Sequence, residues 1–568
     1  MSRRRLGTVA LALLAVSWAL LMQAPGANQN AHLALVTSLS HGTPRIDRYR
    51  NWTGDLAYID GHYYAAKAPG LALTTLPWYL GLDTAGLVVK GPPASTPWPE
   101  AQAAMPRTAV WEVGLFGATL PAFVLLLFAR FVADSFVPGY GTAAGVVVGA
   151  GSLLGVLATM FIAHELSACL GFAAFALLVR ERSGPPDARL VAAAGLAAGL
   201  AVVVEFPLAI VAAAAGLYAI VRPGWPRRVL AFVGGVIVGL APLIAFNTRA
   251  FGSPTTLSYT NAVLRPGVSG HDVVGANASG FFGVGVPSLR AGLELLFSAK
   301  GLVVLAPVCA LASVGLVVLW RRRIRAEAAV AGSIGAAFLV YNAGYYLPFA
   351  GFPPGPRLLV PMLPFLALPI AAAWQALPGT TLVLALASVV VTSAALLAQP
   401  LGPSEDSGSW FHRLEHGDVT STVFHWAWGD GAAQVLPVVL LLVAAVTVAL
   451  LVTPRPRIDA VGLLIGLTAL SAWRVVYTGA PIMLRVDRMN GGVLGAVGVL
   501  GLVAAIALCF VLLERRRFLA LVPALALAPI AWPRFAAHTV LSLVAVCVAL
   551  LGLVVLTWRR RPAPATAS

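Results

Sequence analysis

Between Asp47 and Lys67 the chain places three carboxylates (Asp47, Asp55, Asp60), one histidine (His62), four tyrosines including Tyr64, and the cations Arg48, Arg50 and Lys67. A carboxylate in such a group can take a proton from a hydroxyl, and a lysine or arginine beside it can neutralise a departing phosphate. The chemistry these types suit is a displacement between a phosphorylated headgroup and a water-side acceptor. The plainer reading, that they are solvated loop residues, stays open at this point. Far downstream, Arg357 stands at the start of an apolar run, where a guanidinium can grip a phosphate bidentately or anchor a helix end.

The elements that must position these residues are membrane helices. Hydrophobic residues make up 59% of the 568, and charged residues only 11%, with a mean hydropathy of +0.86. So little polar surface requires lipid as part of the solvent. Apolar runs of about 20 residues are long enough to cross the hydrocarbon core. Sixteen such runs are expected, beginning near Leu6, Thr108, Gly141, Ala163, Leu190, Phe206, Val229, Gly301, Ala326, Leu358, Thr380, Val435, Ile458, Gly492, Phe518 and Ala536. Two continuous stretches are split where a charge would otherwise sit at the bilayer centre, at His164–Glu165 and at Glu205–Phe206–Pro207, each expected at a hairpin tip. The fold class expected is an all-α polytopic bundle. Pro25 is badly placed for signal cleavage after Leu6 to Met22, so the first helix is read as retained.

Alternate loops carry the arginines. With Arg3–Arg5 inside, the inner set holds 22 basic and six acidic residues, a net of +16, and the remaining 16 basic and 16 acidic residues balance. All the excess charge therefore lies on one side, which speaks for topology and against nucleic-acid binding. Both termini are expected in the cytoplasm of a plasma-membrane protein. The four cysteines, Cys169, Cys309, Cys509 and Cys547, fall in apolar runs, giving no disulfide framework or cysteine metal site. The arginine-rich, lysine-poor composition reads as that of a high-GC bacterial genome, with an actinobacterial source expected.

Three outer segments exceed connector length: residues 23–107, 248–299 and 401–434 (the last read from Gln399). Long loops usually carry function. In the first, Asn28 to His41 is read as an amphipathic interfacial helix from the spacing of Leu33, Val36 and Leu39, and Leu71 to Leu82 as an apolar segment dipping into the interface. In the second, Gly280-Phe-Phe-Gly283 precedes an interfacial helix from Ser288 to Ser298. The third carries Trp410, Phe411, Trp426 and Trp428, suited to the headgroup layer.

The string Asp60-Gly-His-Tyr-Tyr-Ala-Ala-Lys67-Ala-Pro-Gly70 resembles the Asp-Gly-x-x-Tyr-x-x-Lys-Pro-Pro-Leu pattern of GT-C fold glycosyltransferases. These include protein mannosyltransferases, aminoarabinose lipid A transferases and the RgtA/B/C/D-like bacterial group. Gly355-Pro-Arg357-Leu-Leu-Val-Pro-Met-Leu-Pro-Phe365 resembles a second segment of the bacterial members. The resemblance covers roughly residues 6–400, so residues 1–400 are expected to form a GT-C-like core and residues 435–568 a set of C-terminal helices of unassigned role.

The resemblance implies transfer of a sugar from a polyprenyl-phosphate donor to an extracytoplasmic hydroxyl on a glycan, lipid or protein of the cell envelope, with inversion. It implies Lys67 on the lipid phosphate, with Arg357, His62 and Tyr64 as further donor-binding candidates. The family's acidic residue after the first helix is replaced here by Asn28-Gln29-Asn30, and amides take no proton at neutral pH. The base is therefore expected at Asp55, then Asp47, each of which otherwise reads as a turn residue. Asn30, Asp60, His164 and Glu165 are candidate donor or acceptor contacts, Asn30 alternatively a helix cap. No cofactor is expected beyond the lipid-linked sugar and no metal ligand is assigned, although a divalent ion is left open. Membrane lipids are the remaining partners. The rival readings are a secondary transporter, an O-antigen-type polymerase or ligase, and an inactive GT-C relative that binds polyprenyl phosphate.

Overall fold

The computed structural model describes residues 2–222, 224–263, 283–298, 300–350, 354–398, 407–454, 461–467, 492–513 and a few positions between 520 and 552. The Gly280-Phe-Phe segment, and most of the runs expected from Ile458, Phe518 and Ala536, lie outside the described residues. Six described helices are long and apolar enough to cross a membrane, namely Arg107–Phe136, Trp225–Phe251, Arg325–Gly344, Arg357–Ala376, Pro378–Leu397 and Ala432–Val452. The chain is a polytopic membrane protein.

Several apolar runs are broken or tightened along their length. The run from Gly141 forms helices Gly141–Ala150 and Leu153–Leu157, then restarts as His164–Arg182. The run from Leu190 forms Ala188–Val204, turns at Phe206–Leu208 and continues as Ala209–Ile220, because Pro207 supplies no N–H to the ladder. Arg357–Leu366 is a 3-10 helix containing Pro361 and Pro364, wedged among the helices it packs against.

Helices Ala188–Val204 and Trp225–Phe251 meet through two Gly-x-x-x-Gly steps. A Cβ on Gly195 or Gly199 would collide with the Phe232 or Val236 carbonyl, and one on Gly235 or Gly239 with the Ala192 or Leu196 carbonyl. Without a hydrophobic drive between helices in lipid, this backbone proximity is what holds such a pair together.

Helix His164–Arg182 has polar groups at both ends. At 1.5 Å per residue its 19 residues reach about 28 Å, close to the hydrocarbon thickness. At its arginine end Glu181 is fully buried and paired with Arg228 and with Arg222 at 3.2 Å. Beside it, Arg182 reaches Glu327 at 3.4 Å, and Tyr218 donates to the same carboxylate at 2.7 Å.

Small sheets build the other end, so the chain is not all-α. Strands β2 (Leu56–Ile59) and β3 (His62–Ala65) form a hairpin with Ile59 opposite His62. Its turn is Asp60-Gly61, with φ of +49° and +83°, the two-residue turn whose twist suits a hairpin. The second outer loop adds β4 (Ala262–Val263) to the free edge of β2. The third loop contributes β5 (Ser421–Thr422), paired with β1 (Leu21–Met22) just after helix Arg3–Ala19.

Helix Ala27–Ser40 departs from the interfacial expectation. Every residue from Gln29 to Ser38 is buried, since the first loop folds over its polar face. Thr53 donates to the Ala27 carbonyl at 2.6 Å and Asn30 Nδ2 to the Trp52 carbonyl at 2.8 Å. Trp410 is likewise fully buried, whereas Trp426 and Trp428 are exposed. A helix, Leu289–Phe297 capped by Ser288, forms within the residues 288–298 expected to be helical.

Candidate active site

The β2–β3 hairpin delivers Asp55 and Lys67 from its two open ends. The Ala66 N–H donates to the Asp55 carbonyl at 3.1 Å, which closes the strands and sets the two side chains side by side. Lys67 Nζ then stands 2.8 Å from Asp55 Oδ2, with only 16% and 13% of the side chains exposed. Ser258, from the second outer loop, donates to the Lys67 carbonyl at 3.0 Å.

Directly after Lys67, Gly70 opens helix Gly70–Thr84 against the backbone of the helix ending at Val204. A Cβ on Gly70 would lie 2.6 Å from the Val203 carbonyl oxygen and the Val204 nitrogen. This close approach sets the start of that helix against the backbone just before Glu205, where the chain leaves the other helix.

Glu205 Oε1 lies 2.6 Å from His164 Nδ1, and Ser167 donates to Glu205 Oε2 at 2.5 Å. The two interruptions expected at helix ends are thus in contact. Glu165, on the same turn as His164, is fully buried. Among the described residues neither of its carboxylate oxygens has a hydrogen-bond partner, nor does the buried Nε of Arg357.

Arg357 joins the two halves. It lies in the electrostatic field of the Asp55 and Glu205 carboxylates. The Tyr259 and Tyr345 hydroxyls bond each other, and Tyr346 feels both Asp55 and Arg357. Burial holds the Tyr345 and Tyr259 phenols well above their ordinary range, so they remain neutral donors.

His32, fully enclosed on helix Ala27–Ser40, completes the cluster. Burial, reinforced by the charge on Lys67, pushes its imidazole down to about 3, with Arg357 adding to the effect and Asp55 opposing it. It is therefore neutral at physiological pH. Sequence reasoning passed over His32, Glu205's partner Ser167 and the tyrosines. The one available signal was that His32 is the lone ionisable residue in an otherwise uncharged helix.

The remaining candidates lie outside this cluster or have other partners. Asp47 contacts His62 Nδ1 at 3.0 Å with more than a third of each side chain exposed, and accepts the Tyr63 N–H at 2.8 Å, which ties the 3-10 helix Asp47–Trp52 to β3. Asp60 is the turn residue of the hairpin. Tyr64 is buried and donates its hydroxyl to the Ala250 carbonyl at 3.0 Å. Asn30 is an interior residue of its helix, whose cap is Gly26, bonded through its N–H to Gln29 Oε1 at 3.0 Å. Among the described residues no group of three or more His, Cys, Asp or Glu is spaced to hold a metal ion.

No protein-family model matches the chain, and no curated protein matches it. Among solved structures, the chain is similar to ArnT from Cupriavidus metallidurans in the apo state, with a TM-score of 0.42 and 14% identity over 96% of this chain and 76% of that one. It is similar to the same protein bound to undecaprenyl phosphate, with a TM-score of 0.41 and 13% identity over 96% and 75% of the two chains.

Proposed function

We propose that this protein is a GT-C-type membrane glycosyltransferase that moves a sugar from a polyprenyl-phosphate donor to a hydroxyl of a cell-envelope glycan, lipid or protein. The observation that carries the reading is the convergence of Lys67 and Arg357, from sequence segments resembling two transferase motifs, on one buried cluster with Asp55. Two cations at the end of a membrane-length helix suit a lipid phosphate that enters sideways from the leaflet. The arginine-rich loops lie at the helix's other end, and the positive-inside rule supports a cluster on the extracytoplasmic face.

In the reaction the acceptor oxygen bonds to the anomeric carbon as the bond from that carbon to the phosphate oxygen breaks. The bonding electrons leave on the phosphate, whose charge Lys67 and Arg357 neutralise. Asp55 holds Lys67 in place between turnovers. The acceptor's proton goes to a base in the same cluster.

The test uses purified protein in nanodiscs with a radiolabelled polyprenyl-phosphate sugar. Label should pass to an acceptor from envelope extracts. Lys67→Met and Arg357→Met should each lower transfer on the order of 10- to 100-fold, the worth of one charge-assisted contact. A wild type that binds no polyprenyl phosphate would sink the reading.

A further inference from the structure

The reaction needs a proton acceptor, and the carboxylates of the first loop are poorly placed to be one. Asp55 is paired with Lys67 at 2.8 Å, so its carboxylate is engaged as the counter-ion of that lysine. Asp47 is engaged by His62 and the Tyr63 N–H on the hairpin's outer side. Asn28 and Asn30 are amides and take no proton.

We propose that His164, oriented by Glu205, is the general base that takes the acceptor's proton; the proposal rests on the transferase reading above. Glu205 Oε1 faces His164 Nδ1 at 2.6 Å. Its other oxygen accepts from Ser167 Oγ at 2.5 Å, so the carboxylate cannot swing away. A neutral imidazole that turns its Nδ1–H to a carboxylate carries its lone pair on Nε2. Among the described residues neither buried ring nitrogen of His164 completes a hydrogen bond, but Nδ1 has Glu205 Oε1 at 2.6 Å whereas Nε2 has no partner. Once the ring aligns its Nδ1–H with that neighbouring carboxylate, Nε2 is the atom that accepts a proton from a hydroxyl.

The surroundings fit that role. Glu205 feels Arg357 as well as His164, and His32 feels Lys67, Asp55, His164 and Arg357. The phosphate grip and the histidine therefore belong to one cluster. His32, itself neutral, is enclosed on helix Ala27–Ser40, while Glu165 follows His164 on its own helix. During transfer the acceptor O–H proton passes to Nε2 as the oxygen bonds to the anomeric carbon. The imidazolium so formed is stabilised by Glu205, and the phosphate carries away the electron pair. His164 is the catalytic residue; Glu205 and Ser167 are positioning residues.

Two measurements test this. The first is nitrogen NMR of histidine-labelled full-length protein in nanodiscs at neutral pH, with the His164 signal assigned by its loss in His164→Gln. The expected signal is a neutral ring protonated on Nδ1 and bare on Nε2, with Glu205→Gln shifting the tautomer and Glu205→Asp restoring it in part. A ring protonated on Nε2, or one indifferent to Glu205→Gln, overturns the proposal. The second is transfer of labelled sugar. His164→Gln should lose about 100-fold or more, the range of a general base, while binding polyprenyl phosphate within twofold of the wild type. Turnover within threefold of the wild type overturns the proposal. Absence of polyprenyl-phosphate binding in the wild type sinks the transferase reading and this one with it. The NMR result separates the two failures, because the tautomer belongs to the free protein.

Discussion

Lys67 Nζ stands 2.8 Å from Asp55 Oδ2 in a pocket that leaves both side chains mostly enclosed. A pair so placed is costly to break from one side, because the remaining charge stays in a poorly solvated site. Asp55→Asn is therefore expected to weaken polyprenyl-phosphate transfer by on the order of tenfold, through a displaced Lys67. A double-mutant cycle with Lys67→Met checks this: the two losses should be clearly less than additive.

Arg357→Lys keeps the charge and removes the planar fork. If Arg357 grips phosphate through two parallel N–H groups, the lysine variant should bind polyprenyl phosphate roughly tenfold more weakly. Titration calorimetry in detergent would measure it, and unchanged affinity would limit Arg357 to a point charge.

His32 makes acid stability a readout of the buried cluster. Its folded pKa, about 3, lies below the ordinary 6.5, so the unfolded chain binds the proton more readily. The stability tied to neutral His32 is fully present above about pH 6.5 and is lost as pH falls from there towards about 3, by up to about 1.4 kcal/mol per pH unit. His32→Gln should flatten that acid limb in thermal unfolding measured from pH 7 to pH 4. An unchanged limb would refute the assignment.

Gly70→Ala would press a methyl group into the Val203–Val204 backbone. A backbone cannot yield as a flexible side chain can, so the expected cost is about 1–3 kcal/mol of stability. Transfer should fall as well, because the segment that shifts begins three residues after Lys67 and packs on the backbone just before Glu205. Thermal unfolding and transfer measured on the same preparation would show both effects together.

Glu181→Gln should destabilise the fold without touching donor binding. The change removes one partner from a buried pair with Arg228 and Arg222, at about 3–5 kcal/mol. Reduced thermal stability with unchanged polyprenyl-phosphate affinity is the expected pattern.

Much of this protein is legible from its residues taken locally. Apolar runs announce a polytopic membrane protein, the Asp60-Gly61 dipeptide announces a tight turn, and Lys67 and Arg357 stand out by motif. The charges at Glu165 and Glu205 mark where apolar runs break, since lipid tolerates no unpaired carboxylate at its centre. Partners are another matter. Asp55 meets Lys67 across a hairpin, Glu205 meets His164 across two helices, and Arg357, some 290 residues after Lys67, lies in the field of both carboxylates. The helix at Ala27–Ser40 reads as amphipathic, yet both its faces are buried, because the loop that follows folds back over the polar one. Asp47 and Asp55 look alike in sequence. One turns to His62 at the exposed edge and the other to Lys67 in the interior. Periodicity and local preference act over a few residues, whereas the basicity and exposure of a side chain depend on what the packed chain sets against it.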